Sequence, residues 1–162
     1  MGFRHITNSG RPVNRLEDIN GLTLRTFQNP VFVDVFNGLG ANVTPMAFTE
    51  VYTALESKAL DGQETPHNII YTNRFFEVKK YLSATTHIYG PGVLLVGRKF
   101  WDTLNGDEKK NFQDSCTEAR EFERKASREL DARLLAEMKT KGMQVNEIAP
   151  RNAPACATPG SP

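Results

Sequence analysis

The sequence lacks the features that mark several classes of protein. Only two of its 162 residues are cysteines, Cys116 and Cys156, so no disulfide framework is expected. Basic and acidic residues nearly balance, 20 against 19, and the resulting net charge of +1 predicts no general attraction to nucleic acid or to membrane surfaces. No apolar run approaches the length of a membrane span, so we expect no membrane insertion of this chain.

Motifs for catalysis and cofactor binding are also missing. The three histidines, His5, His67 and His87, are scattered without cysteine partners, so they do not have the spacing of a zinc site. The sequence contains no phosphate-binding loop and no nucleophile elbow. We therefore expect no metal, no cofactor and no catalytic residue. An enzyme remains a second class of function, in which Glu64 and His87 would act as an acid–base pair beside a bound acid.

The two ends of the chain differ from the rest. Met1-Gly-Phe-Arg-His lacks the basic-then-apolar pattern of a secretory signal, so a chain expressed as written is expected to stay in the cytoplasm. Residues 149–162 contain four prolines and four alanines without apolar periodicity, which predicts a disordered tail. Both ends lead us to expect a truncated gene product or an expression fragment.

The most informative positive feature is an arginine between a strand and a helix. Residues 21–27 alternate between apolar and polar types, which predicts a β-strand with Arg25 near its end. Asn29 and Pro30 then supply an N-cap and a proline at the first position of a helix that runs to about Leu39. A guanidinium beside a helix N-terminus is suited to an anion, above all to a carboxylate, whose two oxygens it can contact together. The alternative is a surface arginine paired with a local acid.

Strands and helices alternate along the remaining chain and predict an α/β fold. A capping box at Asn105 and Glu108 starts a helix that extends to about Lys141 and carries one apolar stripe. The other expected elements are strands at 2–7, 41–45 and 143–148, a strand end at 63–64, helices at 48–59 and 66–78, and two strand segments around a bend at 81–96.

Several motifs, in this order, resemble one known family. Met46-Ala-Phe-Thr-Glu-Val-Tyr and Asp61-Gly-Gln-Glu, preceded by the segments at 2–8 and 21–25, are similar to the solute-binding receptors of TRAP transporters, of the dicarboxylate-receptor (DctP) type. The resemblance covers residue 2 to about 148 and matches the later half of those receptors. It implies one lobe, with part of the hinge and the long helix 105–141, of a bilobed periplasmic-binding-protein-like fold. Residues 1–148 would form this partial receptor.

The resemblance also implies a function and a location. Receptors of this type are extracytoplasmic proteins that close on a small organic acid and deliver it to a sodium-coupled permease. The expected partners are therefore a small organic acid, bound through its carboxylate, and TRAP membrane permease subunits, and the expected location is the periplasm. Because half of the cleft would be missing, the alternative is a truncated, non-binding fragment that acts only through interactions.

Most candidate site residues follow from this resemblance. Arg25 matches the arginine that holds the ligand's carboxylate, and Arg4 matches a second arginine of the same cleft. Phe48 matches an aromatic residue that packs on the ligand, although its helical spacing equally indicates a core residue. Glu64 and His87 match members of a buried polar network, in which Glu64 would neutralise Arg4.

Two further positions are less certain members of the site. The family usually has asparagine where this sequence has Thr65, and its amide helps to hold the carboxylate. Threonine keeps a hydroxyl donor but lacks the two amide N–H groups, so the role of Thr65 and the identity of the ligand are open. Gln28 is a candidate donor because of its place just before the helix.

Overall fold

The structure, a computed structural model, describes residues 2–148 as one mixed sheet with helices on both faces. The strands are β1 (Phe3–Asn8), β2 (Thr23–Thr26), β3 (Asn42–Pro45), β4 (Gly62–Thr65), β5 (Tyr81–Tyr89) and β6 (Gln144–Glu147). The helices are α1 (Pro30–Gly38), α2 (Val51–Glu56), α3 (His67–Thr72), α4 (Arg98–Thr103) and α5 (Gly106–Thr140). The α/β class expected from the sequence is confirmed.

The strand order brings distant parts of the sequence to one end of the sheet. Six strands follow each other across the sheet in the order β3-β2-β4-β1-β5-β6. β2 is parallel to β3 and β4, whereas β1 is antiparallel to both β4 and β5. Thr65 therefore pairs with His5, and Gln63 pairs with Arg25. The carboxyl ends of β2 and β4 consequently lie beside the start of β1.

Each face of the sheet has its own hydrophobic core. On one face Ile6 and Leu24 pack with Phe36 of α1. On the other face the core includes residues of α2, α3, β5 and the end of α5, namely Val51, Leu55, Ile70, Leu82 and Met138. Since each face of the sheet is covered by helices, the described chain has three layers.

Helix α5 is as long as the sequence predicts, but it is buried only at its C-terminal end. Asn105 Oδ1 accepts from the Glu108 backbone N–H at 2.9 Å, and Glu108 Oε2 accepts from the Asn105 N–H at 2.8 Å, which confirms the capping box. Leu134 and Met138 are buried, whereas Phe122 is 75% exposed. The first half of the apolar stripe therefore has no core of the described chain to pack against.

Three predicted elements are shorter or different in the structure. The helix expected at 66–78 ends at Thr72, because Arg74 has a left-handed φ of 57°, and a 3₁₀ turn follows at Phe75–Glu77. The helix expected at 48–59 is a 3₁₀ turn followed by α2, which ends at Glu56. The second strand expected in 81–96 is absent from the described chain, and the short helix α4 follows instead. Pro91 fits this end of strand pairing, since proline cannot donate to a ladder.

The remaining sequence-based expectations concern the tail and membrane insertion. The predicted disordered tail 149–162, which includes Cys156, lies outside the described residues. Within residues 2–148, none of the helices combines the length and the apolar character that crossing a bilayer requires. Cys116 is half-buried on α5 as a free thiol.

Candidate ligand-binding site

Arg25 lies near the end of β2 as a buried cation, with only 2% of its surface exposed. Its Nε and Nη2 donate to the Met46 carbonyl oxygen at 3.2 and 2.8 Å. Among residues 2–148, its Nη1 is buried and has no hydrogen-bond partner. No carboxylate of the described residues lies within ion-pair distance of this guanidinium, and burial lowers the pKa of Arg25 from its usual value. The terminal edge of the guanidinium is therefore held in place and still has donor capacity.

Arg4 has the acidic partner that the sequence analysis expected. Its Nη2 donates to Glu64 at Oε1 (2.8 Å) and at the backbone carbonyl (2.7 Å), and its Nε donates to Oε2. Arg4 is 6% exposed and Glu64 is fully buried. The predicted neutralisation of Arg4 by Glu64 is confirmed, and it meets the requirement that buried charges be paired and hydrogen-bonded.

His87 extends this polar network, again as expected. Its Nε2 lies 3.3 Å from Glu64 Oε2, and its Nδ1 lies 2.6 Å from Thr85 Oγ1. The edge of its ring also contacts Phe36 of the core, with the ring centroids 5.3 Å apart. Glu64 therefore accepts from Arg4 and contacts His87 at the same time, which ties β1, β4 and β5 together at this end of the sheet.

Aromatic rings surround the two guanidiniums. The ring centroid of Phe27, just past β2, is 4.5 Å from Arg4 Cζ and 5.0 Å from Arg25 Cζ. Phe32 lies 5.6 Å from Arg4 Cζ, and Phe48 lies 5.7 Å from Arg25 Cζ. These are cation–π distances, and such contacts are strongest where water is excluded. We call Arg4, Arg25, Glu64, His87 and Phe27 the arginine cluster.

The aromatic residues near the guanidiniums include Phe48, which was expected either on the ligand or in the core, and two residues that the sequence did not indicate. Phe48 is 39% exposed, so the interpretation of Phe48 as a core residue is wrong. Phe27 and Phe32 were not identified as site residues. The signal that could have found them is their position two and seven residues after Arg25, on either side of the turn that leads into α1.

Thr65 and Gln28 occupy different surroundings. Thr65 ends β4 directly after Glu64, is 3% exposed and pairs with His5 of β1. Gln28 is exposed, and in the described part of the chain it makes none of the hydrogen bonds or ring contacts of the arginine cluster. Thr65 is therefore buried next to Glu64 in the strand, and Gln28 is exposed.

The N-terminus of α1 offers fewer donors than the sequence analysis expected. Pro30 has no N–H, and the Val31 N–H donates to Asn29 Oδ1 at 2.9 Å. The Val33 N–H donates to the Asn29 carbonyl at 3.2 Å. The cap and the first turn of the helix thus use two of the donors that were expected to face an anion.

The fold and the cluster together define a class of protein: one lobe of a binding protein whose sheet end presents a buried cation. Within residues 2–148 there is no group of three or more His, Cys, Asp and Glu side chains that could hold a metal ion. The family model for bacterial extracellular solute-binding proteins, family 7 (DctP), matches residues 1–160, so the chain belongs to that family. This is a family of substrate-binding receptors and not of enzymes, which rules against the acid–base role considered for Glu64 and His87.

Individual relatives agree with this assignment. A TRAP periplasmic solute-binding protein from Ochrobactrum anthropi, solved with its C-terminus bound in the ligand-binding pocket, is 50% identical, with a TM-score of 0.88 over 94% of this chain. The sugar acid binding protein of Advenella mimigardefordensis, solved with galactonate, is 44% identical, with a TM-score of 0.84 over 93% of this chain. The 2,3-diketo-L-gulonate-binding periplasmic protein YiaO of Escherichia coli is 38% identical over 144 residues, or 89% of this chain.

The chain spans about half the length of the relatives it matches. It covers 48% and 49% of the two solved receptors and 44% of the E. coli protein. The structure corresponds to one lobe of these bilobed proteins, as the resemblance implied.

Proposed function

We propose that this chain is the carboxylate-binding lobe of a receptor for small organic acids, and that Arg25 holds the acid. The observation that carries the proposal is the unpartnered, buried Nη1 of Arg25 beside a second arginine whose charge is already neutralised. A buried cation without an acid partner is costly, and a ligand carboxylate would supply that partner.

The charge of the arginine cluster favours a monoanion. The charges of Arg4 and Glu64 cancel, so Arg25 leaves one net positive charge among the arginine and carboxylate groups of the cluster. Nε and one N–H of Nη2 are committed to the Met46 carbonyl, which leaves the terminal edge of the guanidinium for two carboxylate oxygens. The ligand would therefore approach Arg25 from the side away from Met46.

The surroundings of Arg25 favour an acid with a small, partly polar skeleton. Phe27 and Phe48 are 38% and 39% exposed, so each presents ring surface next to the guanidinium. Thr65 would add a hydroxyl in place of the amide usual in the family. Because two relatives bind galactonate and diketogulonate, we propose sugar acids as the first class of ligand to test.

By membership of the family, the receptor would work outside the cytoplasm. We propose a periplasmic location, and TRAP permease subunits of a sodium-coupled transporter as the partners that take the acid from the receptor. Arg4 and Phe48 would form part of the wall of the site. The pairing of Arg4 with Glu64, which also contacts His87, would keep Arg4 from taking the carboxylate of the ligand. Gln28 would contribute only at the margin.

An NMR titration of the 162-residue chain tests the proposal. Galactonate should move the Nε–H resonances of Arg25 and Arg4 and the ring resonances of Phe27, with one common affinity. Galactitol, which has the same carbon count without the carboxylate, is the matched ligand control and should leave them unmoved. Equal shifts with both compounds, or shifts only at residues far from β2 and β4, would contradict carboxylate recognition by Arg25.

A further inference from the structure

A second cluster lies on the opposite side of β1 from Arg4, since successive strand residues face opposite sides. The ring of His5 stacks on that of His67, with centroids 4.0 Å apart and planes 10° apart. His67 Nδ1 lies 3.0 Å from Asp131 Oδ1 of α5. Both histidines are 4% exposed, and they adjoin a cavity of about 1250 Å³ between the sheet and α5. This cluster is separate from the arginine cluster.

His5 also contacts an irregular point in β5. The Thr86 backbone N–H donates to His5 Nδ1 at 3.4 Å, and Thr86 has a left-handed φ of 45°. The pairing of β1 with β5 shifts here, because Arg4 pairs with Ile88 whereas Ile6 pairs with Ser83. A β-branched residue in the left-handed region is strained and persists only where its surroundings hold it.

The irregular point connects the two clusters. His5 directly follows Arg4 in β1, and Thr86 lies between Thr85 and His87, whose side chains contact each other and reach Glu64. We propose that neutral His5 is a positioning residue for the arginine cluster: it accepts the Thr86 N–H, holds the bulge that turns His87 toward Glu64, and releases that bulge when it takes a proton. This proposal rests on the proposed function only in that the arginine cluster is taken to bind the organic acid.

Protonation of His5 conflicts with each of its contacts. A proton on Nδ1 would face the Thr86 N–H, so a donor would meet a donor. The new charge would also be buried against His67. The pKa of His5 is accordingly lowered to about 3, mainly by burial, with His67 and His87 adding to the shift and Asp131 opposing it.

Other charged groups near His5 come from the remaining elements packed around it. Arg4 and Glu64 lie on the adjacent strand positions, and the same cavity is lined by charged residues of α5 and β6, namely Glu123, Arg124, Arg128 and Glu147.

The test is a pH titration of the chain by NMR, without any organic acid, so that its failure and that of the proposed function can be told apart. The resonances to follow are the ring nitrogens of His5, the Thr86 amide and the Arg4 Nε–H. We expect His5 to stay neutral, with its proton on Nε2, well below pH 6.5. The Thr86 and Arg4 signals should then move with the midpoint of His5.

Two variants separate positioning from a merely structural role. His5→Gln keeps an acceptor but cannot titrate, so its Thr86 and Arg4 signals should lose the acid transition. His67→Gln removes the stacked neighbour, so the pH midpoint at which His5 titrates should rise. The midpoint of the change in the Thr86 amide resonance should rise by the same amount.

Three results would overturn the proposal. One is a His5 midpoint near 6.5, and another is an unchanged acid transition in His5→Gln. If the chain unfolds before His5 titrates, His5→Gln should lower the acid-unfolding midpoint by about half a pH unit or more, because the unfolded histidine no longer draws a proton. An unchanged unfolding midpoint would be the third contrary result.

Discussion

Replacing Arg25 should remove most of the affinity of the receptor for organic acids. Arg25→Ala deletes the only buried cation of the arginine cluster that lacks an acidic partner among the described residues. It also deletes two hydrogen bonds to the Met46 carbonyl and two ring contacts, so some loss of folding stability is expected. The variant therefore needs both a binding and a stability measurement.

The size of the binding loss follows from the contacts that Arg25 can offer a ligand. A hydrogen bond to a charged group contributes about 1.5–3 kcal/mol, and the free terminal edge of Arg25 can make at least one. We expect Arg25→Ala to weaken binding by about 2 kcal/mol or more, which is roughly 30-fold. Arg25→Lys should recover only part of this, because an ammonium cannot contact Met46 and a carboxylate with one planar group.

The assay is calorimetry with galactonate on a complete receptor that contains this lobe, with thermal unfolding of each variant measured in parallel. Arg11→Lys is the matched control. Arg11 is an exposed arginine that also donates to two backbone carbonyls, those of Asp18 and Asn20, at 3.0 and 2.7 Å, away from the cluster. Unchanged affinity in both Arg25 variants, or an equal loss in the Arg11 variant, would refute the role of Arg25.

Three further predictions concern the surroundings of the site. Thr65→Asn should strengthen binding of a simple carboxylate by about 1 kcal/mol in the same calorimetric assay, since it adds an amide donor, and weaker binding would show that threonine suits the ligand's shape. Gly62→Ala should lower the free energy of unfolding by about 3 kcal/mol in urea, because the added Cβ would lie 2.2 Å from the Thr7 carbonyl, whereas Gly106→Ala meets open space and should be neutral. Lowering the pH from 7 to 5 should reduce the free energy of unfolding by roughly 2 kcal/mol through His5, because its pKa is about 6.5 in the unfolded chain and about 3 in the folded chain, so only the unfolded chain takes up the proton. A His5→Gln variant that keeps this loss would contradict the assignment.

The sequence predicts best those elements that are determined by local chemistry. Asn29 and Pro30 start α1 where expected, and Asn105 with Glu108 starts α5, because a cap needs only residues within one helical turn. The helix break at Arg74 was not predicted, and the strand expected beyond the bend that follows Tyr89 does not form in the described chain. Asn73 is a possible C-cap, but the apolar residues that follow it suggested that the helix continues. Whether a second strand forms after the bend depends on which strands are available to pair with it.

The candidate site is harder to predict because its contacts join distant positions. Arg4 and Glu64 are 60 residues apart, and only the family resemblance indicated that they meet. The Met46 contact of Arg25 involves a backbone carbonyl, which has no signature in the sequence. Thr86 gives no warning of its left-handed conformation, since β-branched residues disfavour it.

The central claim is that the free edge of Arg25 holds a ligand carboxylate, and a crystal structure of the complete receptor with galactonate tests it most directly. We predict a carboxylate oxygen within about 3 Å of Arg25 Nη1, with Arg4 still paired to Glu64 and the carbon chain of the ligand against Phe27 and Phe48. Galactonate bound elsewhere, for example in the cavity beside His67, with Arg25 Nη1 still unpartnered, would contradict the account.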